Sequence, residues 1–233
     1  MANWTKEKML EELQAILGTK LVSVVLFGSA AAGDHAGKSS DINLLVVTHP
    51  LDYKELQGLS KAVVPWTRQG NPPPLLLTQE HLTEFTDVFP VEILDIQHNH
   101  RVLSGPDPVT DLKVSHDHLR VELEHELQGK LLQLRMNSTM TEARPGLVEK
   151  LMIDSFSTFL VLFKAALWLY GVTPPVKKMD ALRKLREKVT FDIDVFETVD
   201  RLKRGEKMKD LDVLGTFEKY LGNIETIVDN VNQ

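Results

Sequence analysis

Apolar positions along this chain follow two rhythms, and the change between them falls near residue 108. Before that point the apolar residues come in short, Val- and Leu-rich runs bounded by Gly, Pro or polar residues: Leu21 to Phe27, Ile42 to Val47, Leu75 to Leu77, and Val91 to Ile96. Such runs predict buried strands. Arg101 to Pro108 predicts a last short strand and a stop. Helical spacing is interleaved with these runs. Trp4 to Leu17 is amphipathic, with Thr5 placed to cap it and Gly18 to end it. Asp52 to Gln69 and Gln79 to Phe85 predict two further helices, and Asn71-Pro72-Pro73-Pro74 a stiff connector.

Beyond Gly105 to Pro108 the pattern becomes helical throughout. Leu119, Leu123, Leu127, Leu131 and Leu134 share one face of a helix from His116 to about Arg135. Gly146 to Tyr170, Lys178 to Lys188, Asp194 to Arg204 and Asp210 to about Asn230 predict four more. Long amphipathic helices with short loops make a bundle. The expected fold class is α+β: a small mixed β-sheet domain over residues 1–108, followed by an all-α helical bundle over residues 109–233.

The chemistry concentrates in one stretch. Leu26-Phe27-Gly28-Ser29 ends the first run, and Ser40-Asp41-Ile42-Asn43-Leu44-Leu45-Val46-Val47 opens the second. Gly28 and Ser29 allow a tight turn that brings backbone N–H groups and a hydroxyl to an anion. Asp41 and Asn43 are two apart, so on a strand they share a face. This stretch resembles the core motif of the DNA polymerase beta-like nucleotidyltransferase superfamily: an apolar residue, Gly, Gly or Ser, a spacer of about ten residues, then Asp-x-Asp or Asp-x-Glu opening a strand. The resemblance is close over Leu26 to Val47 and looser over Glu92 to Pro108. The small α/β head with a helical tail is similar in layout to the aminoglycoside and minimal nucleotidyltransferases.

The resemblance implies that Gly28 and Ser29 hold the triphosphate of an NTP, with Lys38 or Ser39 of the spacer near the phosphates. It implies magnesium held by carboxylates, the third of which comes from a later strand. Magnesium suits such a site because it takes hard oxygen ligands and shares them with substrate phosphates. Asp41 is then the first ligand, and Asn43 stands where the family has a second acid. An amide oxygen can ligate but brings no charge, so metal binding is expected to weaken. For the third acid the choice lies between Glu92 and Asp95, which face opposite sides of a strand. Glu92, nearer the strand start, is expected as ligand and general base.

The remaining candidates have plainer readings. His98-x-His100 has metal-ligand spacing but no cysteine or clear third ligand beside it. Glu122 and Glu126 share a helix face and could supply an acid to a site, or form a solvated face with Arg120 and Lys130. Arg120 and His125 match the spacing of a helical ribonuclease pair, a spacing that charged helices produce often.

Composition narrows the classes. The 233 residues carry a net charge of −6 and no cysteine. The acidic balance argues against a broad nucleic-acid surface, and the lack of cysteine excludes disulfides and thiolate chemistry. The longest apolar stretch, Phe156 to Tyr170, is interrupted by Ser157, Thr158 and Lys164. No signal peptide is evident, so a cytoplasmic protein without a membrane span is expected. The expected function is magnesium-dependent transfer of a nucleoside monophosphate from an NTP, with ATP the expected one, to a hydroxyl on a small molecule or protein. The alternative is a catalytically degenerate nucleotide- or partner-binding protein on the same fold, marked by Asn43. A protein partner or a homodimer fits either.

Overall fold

The structure, a computed structural model, describes residues 5–31 and 42–231. It divides into two compact units, 1–115 and 116–233.

The first unit is built on a four-stranded sheet of order β3-β2-β1-β4. The strands are β1 (Leu21–Phe27), β2 (Asn43–Thr48), β3 (Leu75–Thr78) and β4 (His100–Ser104). β1 runs antiparallel to β2 and to β4, while β2 and β3 are parallel. The sheet is therefore mixed, as the sequence predicts. Helices α1 (Lys6–Leu17), α2 (Tyr53–Gly58) and α3 (Ser60–Thr67) precede β3, and α4 (Gln79–Val88) and α5 (Pro90–His98) follow it.

Strand alternation sends two sets of side chains to opposite faces. Val24, Leu26, Leu44 and Val46 pack with Met9 and Leu13 of α1 and Ala62 and Trp66 of α3. Val25, Leu45 and Val47 pack with Leu82 of α4 and Ile93 and Ile96 of α5. The α1 helix starts as expected, with the Thr5 hydroxyl accepting from the Lys8 N–H at 3.3 Å. The single helix expected over 52–69 is instead two, α2 and α3, meeting at Leu59.

Two features of the first unit differ from the sequence reading. Val91 to Ile96 is not a strand but lies within α5. Pro90 sits at the first turn, where its fixed φ and missing N–H suit a helix start. Pro90, Ile93 and Ile96 then bury one face at a spacing of three. A short apolar run reads equally well in either period, and here the helical one wins.

The boundary also moves. Residues 109–115 pack with the first unit, because Val109 is fully buried in the β1/α5 core. The Gln97 side-chain amide clamps that segment, donating to the carbonyls of Val109 at 2.7 Å and Leu112 at 2.8 Å. The turn before it depends on Gly105, whose φ is +78° and whose added Cβ would lie 2.0 Å from the Val22 carbonyl oxygen.

The second unit consists of α6 (His116–Thr139), α7 (Pro145–Leu169), α8 (Lys178–Arg186), α9 (Asp194–Lys203) and α10 (Val213–Val231). Its core centres on Phe196, which meets Phe163, Phe191 and Tyr220 edge-on with centroids 5.6–6.0 Å apart, an arrangement that aromatic quadrupoles favour. The buried Tyr220 hydroxyl finds Ser155 Oγ at 3.1 Å. Taken whole, α7 is long and apolar enough to cross a membrane, which the interrupted run within it did not suggest, and half of its most apolar stretch is buried in this bundle.

Candidate functional site

The end of the sheet where β1 stops and β2 starts gathers the motif residues that the structure describes. Phe27 pairs with Asn43 on one side and with His100 on the other. Directly opposed residues of antiparallel strands point the same way, so Asn43, Phe27 and His100 leave the sheet on the face that carries α4 and α5. After Phe27 the chain enters a single 3-10 turn, Gly28–Ala30, closed by the Ala31 N–H donating to the Gly28 carbonyl at 3.0 Å.

Gly28 makes that turn possible. Its φ is +76°, a conformation that side chains resist. A Cβ there would also lie 3.2 Å from Asn43 Nδ2. The Gly28 N–H is committed to the Asn99 carbonyl at 2.9 Å, in the link between α5 and β4. The glycine thus serves conformation and close approach. It does not offer its own N–H to a ligand.

The link beyond Asn99 is held by a hub that the sequence reading passed over. Asp107 accepts hydrogen bonds from the Val109 N–H at 3.0 Å, the Thr110 N–H at 3.2 Å, the Thr110 hydroxyl at 2.7 Å and His100 Nε2 at 2.9 Å. Burial acts to raise the Asp107 pKa, but these donors outweigh it and hold the carboxyl well below the usual range. The other His100 nitrogen, Nδ1, faces the Gln97 carbonyl oxygen at 3.1 Å. Asp107-Pro108-Val109-Thr110 carries the signature of an Asx turn, and that signal could have found the hub from sequence. Asn71 does a similar job at the start of β2, its side-chain oxygen accepting from the Ile42 N–H at 3.2 Å.

The other predicted residues are distributed as follows. Ser29 is the middle residue of the turn. Asp41, Lys38 and Ser39 lie outside the described residues. Glu92 stands in the first turn of α5 and is exposed. The strand argument that chose it over Asp95 therefore does not hold, because both belong to one helix. Neither β3 nor β4, the strands that follow β2, carries an Asp or Glu. The third carboxylate expected on a later strand is absent from both. Among the described residues, no three His, Cys, Asp or Glu side chains cluster as metal ligands do.

In the second unit, Arg120 donates to the Val231 carbonyl at 2.9 Å, while His125 is exposed beside Glu126 at 3.7 Å. Five residues of helix turn the two about 140° apart, so Arg120 and His125 do not form a pair.

Comparison with known proteins agrees with this geometry. Residues 6–99 match the model of a nucleotidyltransferase domain. No curated protein matches the sequence. Among solved structures, the chain is similar to spectinomycin adenyltransferase from Enterococcus faecialis, solved with ATP and spectinomycin. The TM-score is 0.57 at 13% identity, over 95% of this chain and 100% of that one. A nucleotidyltransferase-like protein from Exiguobacterium sibiricum matches at a TM-score of 0.46 and 11% identity, over 97% of this chain and 75% of that one. Residues 6–99 of the first unit thus match a nucleotidyltransferase domain, consistent with the DNA polymerase beta-like superfamily. The whole chain has the fold of such a domain followed by a helical region.

Proposed function

We propose that the first unit binds a nucleoside triphosphate with its phosphates against the Gly28–Ala30 turn, and that the protein transfers the nucleoside monophosphate to an acceptor hydroxyl. The observation that carries this is the approach of Gly28 to Asn43 at the strand ends, inside the stretch that matches a nucleotidyltransferase domain. With the Gly28 N–H bound to Asn99, phosphate oxygens are met by the backbone after it and by Ser29, with Lys38 or Ser39 of the spacer adding to them. ATP is the triphosphate we propose, as in the adenyltransferase of similar fold. A small molecule or a protein side chain is the proposed acceptor.

In the transfer, the acceptor oxygen attacks the α-phosphorus in line. The bond to the bridging oxygen of the β-phosphate breaks, and pyrophosphate leaves. The hydroxyl proton passes to a carboxylate, for which we propose Asp41, the acid of the motif. Such reactions run on positioning and on neutralising phosphate charge.

Magnesium is the metal the family implies, and the donor set does not fit a pair of ions held by strand carboxylates. Asn43 is a neutral amide, and β3 and β4 carry no acid. We propose that magnesium arrives as the counter-ion of the triphosphate, the way this ion commonly binds with few protein ligands.

The same two facts favour a second reading, a protein that binds the nucleotide and transfers nothing. Incubation with labelled ATP, magnesium and a panel of aminocyclitols, or with a lysate, separates the two. Labelled product with release of pyrophosphate supports transfer. Saturable ATP binding without product supports the binding reading. No binding of any NTP at millimolar concentration overturns both.

A further inference from the structure

The helix α6 turns an apolar stripe to solvent. Val121 is 64% exposed, Leu132 58% and Met136 60%. Single exposed apolar residues need no explanation. These three are different, because at about 100° per residue they fall within a 60° arc of one face. The opposite face, Leu119 to Leu134, is buried in the bundle. His125, Gln128 and Gly129 complete the exposed arc. Gly129 sits mid-helix, where glycine costs stability relative to alanine. A Cβ there would meet nothing within 4 Å, so packing inside the unit does not call for it.

Charge is distributed lengthwise along the same helix. The half from 116 to 127 carries Asp117, Glu122, Glu124 and Glu126 against the single Arg120. The half from 128 to 139 carries no acid and sets Arg135 beside the exposed arc, while Lys130 lies about 180° from Val121, on the bundle side. A parallel neighbour of the same sequence would set acid against acid. An antiparallel one sets the acidic half against Arg135.

We propose that α6 is a homodimer interface at which two copies of this chain pair antiparallel about a two-fold axis between Gln128 and Gly129. In that register Val121 meets the partner's Met136, His125 meets the partner's Leu132, and Gln128 meets the partner's Gly129. The missing side chain at 129 lets the two helix backbones approach at the crossing. On the flank, Glu124 and the partner's Arg135 stand about two residues apart along the helix, or about 3 Å of rise. Arg135 spends its Nε and one terminal nitrogen on Glu225 and has further donors for a second carboxylate. The symmetry is isologous, the commonest kind of homodimer. A single helix pair lies at the small end of specific interfaces, below about 1,200 Å² in total, so the dimer is expected to dissociate on dilution. This inference does not rest on the nucleotide reading.

Light scattering after size exclusion, over a wide range of protein concentration, tests it. The mass of the full chain should double as concentration rises. Leu132→Lys and, separately, Met136→Lys should remain monomeric with unchanged far-UV circular dichroism, since both positions face solvent. The chain has no cysteine, so orientation can be read by cross-linking. A mixture of Val121→Cys and Met136→Cys chains should form the mixed disulfide in several-fold excess over like-with-like pairs. A monomer at every concentration, a dimer that survives both lysine variants, or preferential Val121→Cys self-linking would each overturn the proposal.

Discussion

Gly28 and Asn43 face each other across the end of the sheet so closely that a methyl group on the glycine would lie 3.2 Å from the asparagine amide nitrogen. The turn and the residue standing at the second motif position are thus one structural unit. Changing either changes the other.

Gly28→Ala should therefore cost on two counts. A left-handed conformation costs a non-glycine residue about 1–2 kcal/mol, and the new methyl pushes on Asn43. Denaturant titration should find that loss in the first unit. Affinity for an NTP should fall about tenfold, which corresponds to about 1.4 kcal/mol, and calorimetry would measure it.

Asn43→Asp restores a charge without changing the size of the side chain. A second carboxylate in the Asp41-Ile42-Asn43 motif would give a magnesium ion a better-neutralised place among the phosphates. The expected result is NTP affinity about tenfold higher in magnesium than that of the natural chain, with little change when magnesium is chelated. Faster pyrophosphate release in the same variant would support the transfer reading.

Gly105→Ala tests the seam between β4 and β1 and not the site. The added Cβ would lie 2.0 Å from the Val22 carbonyl oxygen, at a φ of +78°. Backbone cannot swing aside as a side chain does, so the expected loss is on the order of 3 kcal/mol. Hydrogen exchange at β1 and β4 would show the loss directly.

The Asp107 hub predicts a pH dependence with a definite sign. Its pKa is lower in the folded chain than in the unfolded one. Its contribution is therefore full above the unfolded value of about 3.9 and is lost as pH falls below it. The stability difference between the natural chain and Asp107→Ala should be constant near neutral pH and shrink progressively below about pH 4. Thermal melts across that range would check it.

Much of this was legible in the sequence because strongly patterned segments leave few choices. β1 was readable because a Val-rich run between two glycines has no helical face to offer. The bundle helices were readable because leucines at spacings of three and four repeat over about four turns in α6. The motif stretch gave the turn, and the structure adds why Gly28 is required and that its N–H serves Asn99. The α5 segment was misread because Val-Glu-Ile-Leu-Asp-Ile fits both periods, and Pro90, which bounds the run, marks a helix start. That error carried the choice of Glu92 with it, since the choice rested on strand position. The Asp107 hub was passed over because apolar periodicity does not register it; the Asx-turn signature Asp107-Pro108-Val109-Thr110 shows its local bonds, and only the fold shows that His100 joins them.

The central claim is that a triphosphate binds against the Gly28 turn beside Asn43. Calorimetric titration of the full chain with ATP, with and without magnesium, tests it most directly when run beside Gly28→Ala and Asn43→Asp. The account predicts saturable binding by the natural chain, weaker binding by Gly28→Ala, and a gain by Asn43→Asp only when magnesium is present. ATP binding of equal strength in all three proteins, or no binding in any of them, would contradict it.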